Sequence, residues 1–465
     1  MKSKNLVASL VVSFSLFQAA SVAADSTDTK IEFGGMAAIE NGQFVKSNYA
    51  GSSIPYQPWI NDEYARISLR ATLSEHLQLI IAPEIRVWFD NYNWTAMTND
   101  AFQFPWVSHT DASLANAQGI LSYGDKEHIS FEFAAGIMPY KYDLEAKNLG
   151  EYLFRSETHP AYIVTSFDNA YATLTGFRLS STMFNKLSMD LFLTTETMFL
   201  PTLDWSISFL AGYKPFPCLD IGAGIMLDRL LGVDSLKDRP IAQANGYVTS
   251  AGDSGYFSFG GTKVMARVCF DPKEALKNIL PSSVSNMFGK EDWKIYGEAA
   301  ILGIKNIAAS KHPLDGAGQP ILTSWIVDSS KNYYSDITQR IPVMFGFNIP
   351  AFKLLDFLSV ELEWFGWPYP QGCGNVDNFS IEYPIPPPVQ DASDPLLYTE
   401  HDNWKYSFNF KKTIVKGFSI IGQVARDHTH YDVSYAKYLY NTGLCTEAFS
   451  QKNEWGWWCK LLYYL

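Results

Sequence analysis

The chain has 465 residues, 47% apolar, 18% charged and 15% aromatic, with 31 glycines and 23 prolines, a composition that excludes a disordered chain. Its formal charge of -12 argues against a general nucleic-acid binder. Beyond the first two dozen residues no run of 18 apolar residues occurs, so any membrane crossing would have to be made by strands.

The N-terminus reads as a secretory signal peptide. Lys2 and Lys4 precede an apolar stretch from Leu6 to Phe17, and Val22, Ala23 and Ala24 offer small residues for cleavage before Asp25. Removing residues 1–24 takes away two lysines and no acids, which leaves -14 on the remaining 441 residues. The five cysteines, Cys218, Cys269, Cys373, Cys445 and Cys459, are an odd number for an exported chain and do not make a disulfide scaffold. Cys373 and Cys445, both in long polar stretches, are the pair that could join; the alternative is that all five are free.

From residue 31 onward the dominant signal is alternation. In Ala65 to Leu73 the odd positions are apolar, while Arg66, Ser68, Arg70 and Thr72 occupy the even ones. After a reversal at Ser74, Glu75 and His76, the stretch Leu77 to Phe89 alternates again, with Gln78, Glu84 and Arg86 on its polar face, so the two read as a hairpin. Comparable segments lie at 31–39, 64–74, 77–89, 112–123, 128–139, 169–181, 187–198, 203–214, 219–229, 258–270, 292–304, 338–350, 356–367, 403–412, 417–428 and 453–465. Most are longer than the five or six residues, roughly, of an average soluble strand, and they match the nine to eleven, about, that a tilted strand needs to cross a bilayer. The expectation is an all-β, up-and-down antiparallel transmembrane barrel of about sixteen strands.

The connections alternate between short and long. Gly124-Asp125-Lys126, Met183 to Lys186 and Phe216-Pro217-Cys218 are tight, whereas the intervening loops are mostly long, the asymmetry of outer-membrane barrels with short periplasmic turns. Residues 199–202 are a short outer loop and 271–291 a long periplasmic one. The latter opens with Asp271 as N-cap and Pro272 at the first helical position, which predicts a short helix there. The final strand ends Trp457, Leu461, Tyr463 and Leu465 on one face, similar to the C-terminal strand read by outer-membrane assembly machinery, although it closes on leucine rather than an aromatic.

A ring of sixteen strands leaves a lumen that wall side chains alone do not fill. Its function then depends on what narrows it. After the fifth segment come Lys141, Asp143, Glu145, Lys147, Glu151 and Arg155, charges of both signs at short spacing, with a helical reading of Leu144 to Phe154. Gly136, Pro139, Tyr140, Glu145, Phe154 and Arg155 resemble the corresponding stretch of the phosphate-selective and related substrate-specific bacterial porins, over about twenty residues. That resemblance implies sixteen strands and a third outer loop, residues 140–168, folded inward as a constriction. No arginine ladder suited to phosphate is present, so the solute stays open.

Strand parity nominates the wall opposite: Arg66, Arg70, Arg86, Arg267, Arg340 and Lys405 among bases, and Glu84, Glu132, Asp190, Glu196, Glu298, Glu361 and Glu363 among acids. Charge facing lipid costs about 2–4 kcal/mol at the midplane, which favours the inward orientation. Trp205, Trp364, Trp404, Tyr406, Phe408, Trp457 and Tyr463 fall on the opposite, apolar rows, as an aromatic girdle would. The expected function is passive diffusion of small hydrophilic solutes or ions through a Gram-negative outer-membrane porin, with weak cation preference. The expected partners are the lipid bilayer, the assembly machinery and the solutes; a homotrimer is an option the sequence does not decide. The alternative is a barrel whose outer loops capture carbohydrate or another ligand, through Trp94, Phe102, Phe104 and Trp106 or the proline run at Tyr383 to Pro388. No nucleophile with its base, cofactor motif or metal set emerges; His428 and His430 share a strand face but lack a third ligand.

Overall fold

The computed structural model describes residues 29–46, 59–90, 107–154, 172–195, 205–231, 246–248, 254–256, 261–304, 308–311, 325–332, 337–366, 403–427, 449 and 453–465. Its strands, in chain order, are β1 (Lys30–Lys46), β2 (Trp59–Thr72), β3 (Leu77–Asp90), β4 (Val107–Gly124), β5 (Ile129–Tyr140), β6 (Ala172–Met183), β7 (Leu187–Thr195), β8 (Trp205–Phe216), β9 (Leu219–Leu231), β10 (Gly246–Val248), β11 (Ser254–Tyr256), β12 (Gly261–Phe270), β13 (Ile295–Leu302), β14 (Ala308–Lys311), β15 (Trp325–Asn332), β16 (Val343–Asn348), β17 (Phe357–Trp364), β18 (Trp404–Val415), β19 (Phe418–Arg426) and β20 (Trp455–Tyr464). Sixteen of them, β1 to β9, β12, β13 and β16 to β20, pair in order into a closed barrel, and β10, β11, β14 and β15 form a separate small sheet. Every barrel pairing is antiparallel, and β20 returns to β1 through the register Ala38↔Leu462 and Glu40↔Lys460. Each of the sixteen alternating segments of the sequence corresponds to one barrel strand.

Several boundaries differ from expectation, among them the starts of β2 and β4, which lie five residues earlier, and two of the differences have identifiable reasons. β1 continues to Lys46, with Glu40 and Phe44 still buried on the inner row, because Asn41 and Gln43 on the outer row end the apolar alternation before the strand itself ends. Arg340, expected on a strand, lies instead in a 3-10 helix, Ile337–Arg340, and its guanidinium donates to the Gly303 carbonyl. Pro342 follows and has no N–H for the ladder, so β16 begins only at Val343.

The outer rows are apolar and exposed. Ile67, Phe177, Leu191, Phe209, Ile225, Phe345, Leu362, Trp364, Trp404, Phe408 and Tyr463 all lie open on the outside of the ring. In water this would be an untenable surface, and closing the ring removes the backbone edge that hydrocarbon would not tolerate.

Short turns close one end. Gly124, Phe184 and Asn185 take positive φ in them, and Gly417 does so between β18 and β19. The long connection between β12 and β13 carries the expected helix, α1 (Pro272–Ala275), capped by Asp271, whose side chain accepts from the N–H groups of Lys273 and Glu274. A second short helix, α2 (Ser282–Ser285), follows.

Candidate functional site within the barrel

The barrel's apolar core lies inside the ring. Tyr142, Ala146, Leu149, Tyr152, Leu153 and Phe154, from the segment after β5, pack with Phe192, Leu210, Met226, Met265, Tyr296, Ala300 and Met344 from the inner rows of β7, β8, β9, β12, β13 and β16. Tyr140, Phe154 and Phe192 meet edge to face, with centroids 4.6–5.7 Å apart. Burial of this kind contributes about 25 cal/mol per Å² of apolar surface.

Glycine prepares the inward turn. Gly136 on β5 and Gly176 on β6 are register partners, both at positive φ, +133° and +148°. A Cβ would lie 2.1 Å from the Ala117 carbonyl oxygen at the first and 2.2 Å from that of Leu193 at the second, so no larger residue fits. Three and four residues beyond Gly136 come Pro139 and Tyr140, and the Tyr140 hydroxyl donates to Asp190 at 2.8 Å.

Residues 141–154 then run toward the far wall. β17 stands eight places from β5 in the ring of sixteen, which is diametrically opposite. There the Glu361 carboxylate accepts the backbone N–H groups of Lys147, Asn148 (2.8 Å) and Leu149 (2.9 Å), together with the Tyr296 hydroxyl. On β13, Glu298 accepts the N–H groups of Glu151 (2.7 Å) and Tyr152 (2.9 Å) and the Tyr142 hydroxyl. Glu363 takes the Tyr152 hydroxyl at 2.8 Å. The Asn148 amide donates to Ser407 on β18 and to Asp427 just past β19, at 3.1 and 2.6 Å. Hydrogen bonds to charged groups are worth about 1.5–3 kcal/mol each, so this set outweighs the ordering cost of a short segment only because so many act together.

Within the segment, Glu151 accepts the N–H groups of Tyr142 and Asp143, and Asp143 accepts that of Glu145. Burial pushes the Glu151 carboxyl well above the usual carboxylate range; nearby Lys141 opposes the shift and Glu298 reinforces it. Burial likewise lowers the Lys141 amine. The helix expected over Leu144 to Phe154 is absent. Gly150 and Glu151 take positive φ, +90° and +61°, and the amides that a helix would pair internally are given to wall carboxylates.

The expected site residues therefore separate into two groups. Glu298, Glu361 and Glu363, read as wall acids, are covered by the segment and hold it, together with Lys141, Asp143, Lys147 and Glu151, all buried but for partly exposed Lys141. On the other side of the ring Arg66 pairs with Glu84 at 2.6 Å, and Arg86 with Asp62 and Glu84 at 3.2 and 3.3 Å. Lys460 and Glu40, 3.3 Å apart, extend that belt from β3 through β2 and β1 to β20. Arg70 shares the inner row but sits exposed near the short-turn end, Glu132 pairs with Arg178, and Arg267 with Asp220 at 3.3 Å. Lys405 donates to the Phe449 carbonyl at 2.6 Å. Arg155, Glu196, His428, His430, the aromatic loop residues from Trp94 to Trp106, Tyr383 to Pro388, Cys373, Cys445 and the signal segment lie outside the described residues. Cys218, Cys269 and Cys459 are free thiols.

Sequence reading missed Asp62, Glu40, Lys460, Asn148, Asp427 and Lys294. Glu40 and Asp62 follow the inner-row parity and were legible had β1 and β2 been extended; Lys460 and Asp427 fall inside expected segments, Lys460 on the row opposite Leu461 and Tyr463, while Asn148 and Lys294 lie off the strands, where parity says nothing.

Between the segment and the short-turn end is a chamber of about 740 Å³, lined by Lys141, Asp143, Glu145, Arg267, Lys273 and Lys294 among others.

No protein-family model matches the chain, and no curated protein matches it. Among solved structures, two engineered variants of Rhodopseudomonas blastica porin are similar to it in fold. One has 8% identity and a TM-score of 0.42, the other 9% and 0.41; each alignment covers 94% of this chain and all of the porin. The barrel itself is established by its own strand register, and likeness of this degree adds nothing about function.

Proposed function

We propose that this chain is an outer-membrane porin, in which small hydrophilic solutes or ions diffuse passively through a lumen narrowed by residues 141–154. The observation that carries the reading is the crossing segment: a closed barrel with an apolar exterior holds, across its interior, a stretch of chain fixed by carboxylates on the opposite wall. An apolar belt outside a closed ring belongs in hydrocarbon, and residues 1–24 read as the signal that exports the chain toward it. The short-turn end then faces the periplasm. The charged belt of Arg66, Glu84, Arg86, Asp62, Glu40 and Lys460, on the inner rows of β1, β2, β3 and β20, contributes to the field that sorts solutes by sign and size. Solutes leaving on the periplasmic side pass the chamber beneath the segment.

The reading is tested by planar-bilayer recording of the refolded mature chain and of a variant lacking residues 145–153. Discrete conductance steps that enlarge on deletion support it. Steps of unchanged size would remove the segment from the constriction.

A further inference from the structure

Closing a β-hairpin takes as few as two residues, roughly, yet residues 271–294 form a built unit between β12 and β13. The Lys273 amine reaches across it to the carbonyls of Gly289 and Lys290, at 2.8 and 2.6 Å. Asp292 accepts the N–H groups of Gly289 (2.7 Å), Ala351 and Phe352 (both 3.1 Å), which ties the unit to the turn between β16 and β17. Phe288 packs on Trp293 and Phe352, with centroids 4.4 and 5.6 Å away. From this unit Lys294, only 12% exposed, extends to the crossing segment and donates to Glu145 at 2.7 Å and to Glu291 at 2.7 Å. Glu145 is itself held by Asp143, which belongs to the same turn as Glu151.

We propose that residues 271–294 are a brace at the periplasmic end of the barrel, and that Lys294 is a positioning residue through which the brace sets where the crossing segment sits. The brace deepens the reading of residues 141–154 as the constriction and rests on it for its effect on passage. Wall carboxylates anchor the middle of the segment, from Lys147 to Tyr152, but its start at Glu145 is fixed from below. The unit at the short-turn end is thus linked, through the Lys294 amine, to the crossing segment.

Amide hydrogen exchange over residues 145–152 of the refolded mature chain tests this, alongside single-channel recording. Lys294→Gln and Glu145→Gln should each speed exchange there about tenfold and make the conductance fluctuate among larger levels, while Lys294→Arg stays close to the parent. Replacing residues 276–287 with a short glycine-serine turn should act like Lys294→Gln. Unchanged exchange in both Lys294→Gln and Glu145→Gln, with the barrel intact, overturns the brace. Faster exchange in a barrel that never conducts leaves the brace standing and removes the porin reading; conduction with unresponsive exchange does the reverse.

Discussion

Asn148 and Glu361 lie 213 residues apart in the chain, and the Asn148 backbone N–H donates to the Glu361 carboxylate at 2.8 Å. The same carboxylate serves Lys147 and Leu149, so three successive amides converge on one side chain of the opposite wall. Glu361→Gln keeps the shape but replaces an ionised acceptor by an amide whose nitrogen cannot accept. Breaking a buried charged hydrogen-bond set costs about 3–5 kcal/mol. The expected outcome is a segment that exchanges its amides far faster inside a barrel of unchanged strand content, read by hydrogen exchange and circular dichroism.

Gly150 provides a second point of failure. It sits at φ +90°, and a Cβ there would meet the Met344 methyl at 2.8 Å and a Glu298 oxygen at 3.1 Å. Gly150→Ala is expected to weaken docking by about 1–3 kcal/mol through backbone strain and displacement of Glu298. Trypsin should then cut near Lys147 in the variant while the strands resist, a difference visible on a gel.

The brace predicts a pH dependence whose sign follows from its two groups. Burial raises the Glu291 carboxyl, but the Lys294 ammonium lowers it further, so it lies below its ordinary 4.5 when folded; its contribution is complete above that value and is lost as pH falls through the folded one. Burial lowers Lys294 and Glu145 more than restores it, so it lies above 10.5; its contribution is complete below that value and is lost as pH rises beyond. The difference in conductance stability between the parent and Lys294→Gln should therefore hold between about pH 5 and 10 and close on either side, whatever the buried Glu151 carboxyl adds to both. In Lys294→Gln the instability should already be present on the plateau. A Lys294→Gln channel with the same plateau and limbs as the parent would contradict the assignment.

The outer row of one strand gives a direct test of where hydrocarbon lies. Leu362 points outward, 42% exposed, and Ser359 points inward on the same strand. Leu362→Arg places charge against lipid and is expected to cost about 2–4 kcal/mol near the midplane. Unfolding in phospholipid vesicles measures the penalty; no penalty there would place that row away from hydrocarbon.

The strands were legible because alternation is a property of each strand alone. Ile67, Arg66 and Ser68 declare their two faces without knowledge of their neighbours, and the tight turns at Gly124-Asp125-Lys126 and Met183 to Lys186 fix which end is which. The limits of β1 were not legible, since Asn41 and Gln43 are polar on the outer row while the backbone continues to pair. Segment 141–154 is marked by its mixed charges, but the helix expected over Leu144 to Phe154 does not form. Its conformation is set by Glu298 and Glu361, more than 140 residues downstream, and local propensity has no access to partners at that distance. For the same reason Glu361 was identified as an inward acid, correctly by parity, without any sign that its partners would be backbone amides.

The most direct measurement is single-channel conductance of the refolded mature chain beside Glu298→Gln/Glu361→Gln and the 145–153 deletion. A channel that conducts in discrete steps, widens when either change frees the crossing segment, and shows a reversal potential altered by Arg86→Gln in a salt gradient is the predicted result. A correctly folded barrel that stays silent in all three forms would contradict a diffusion channel.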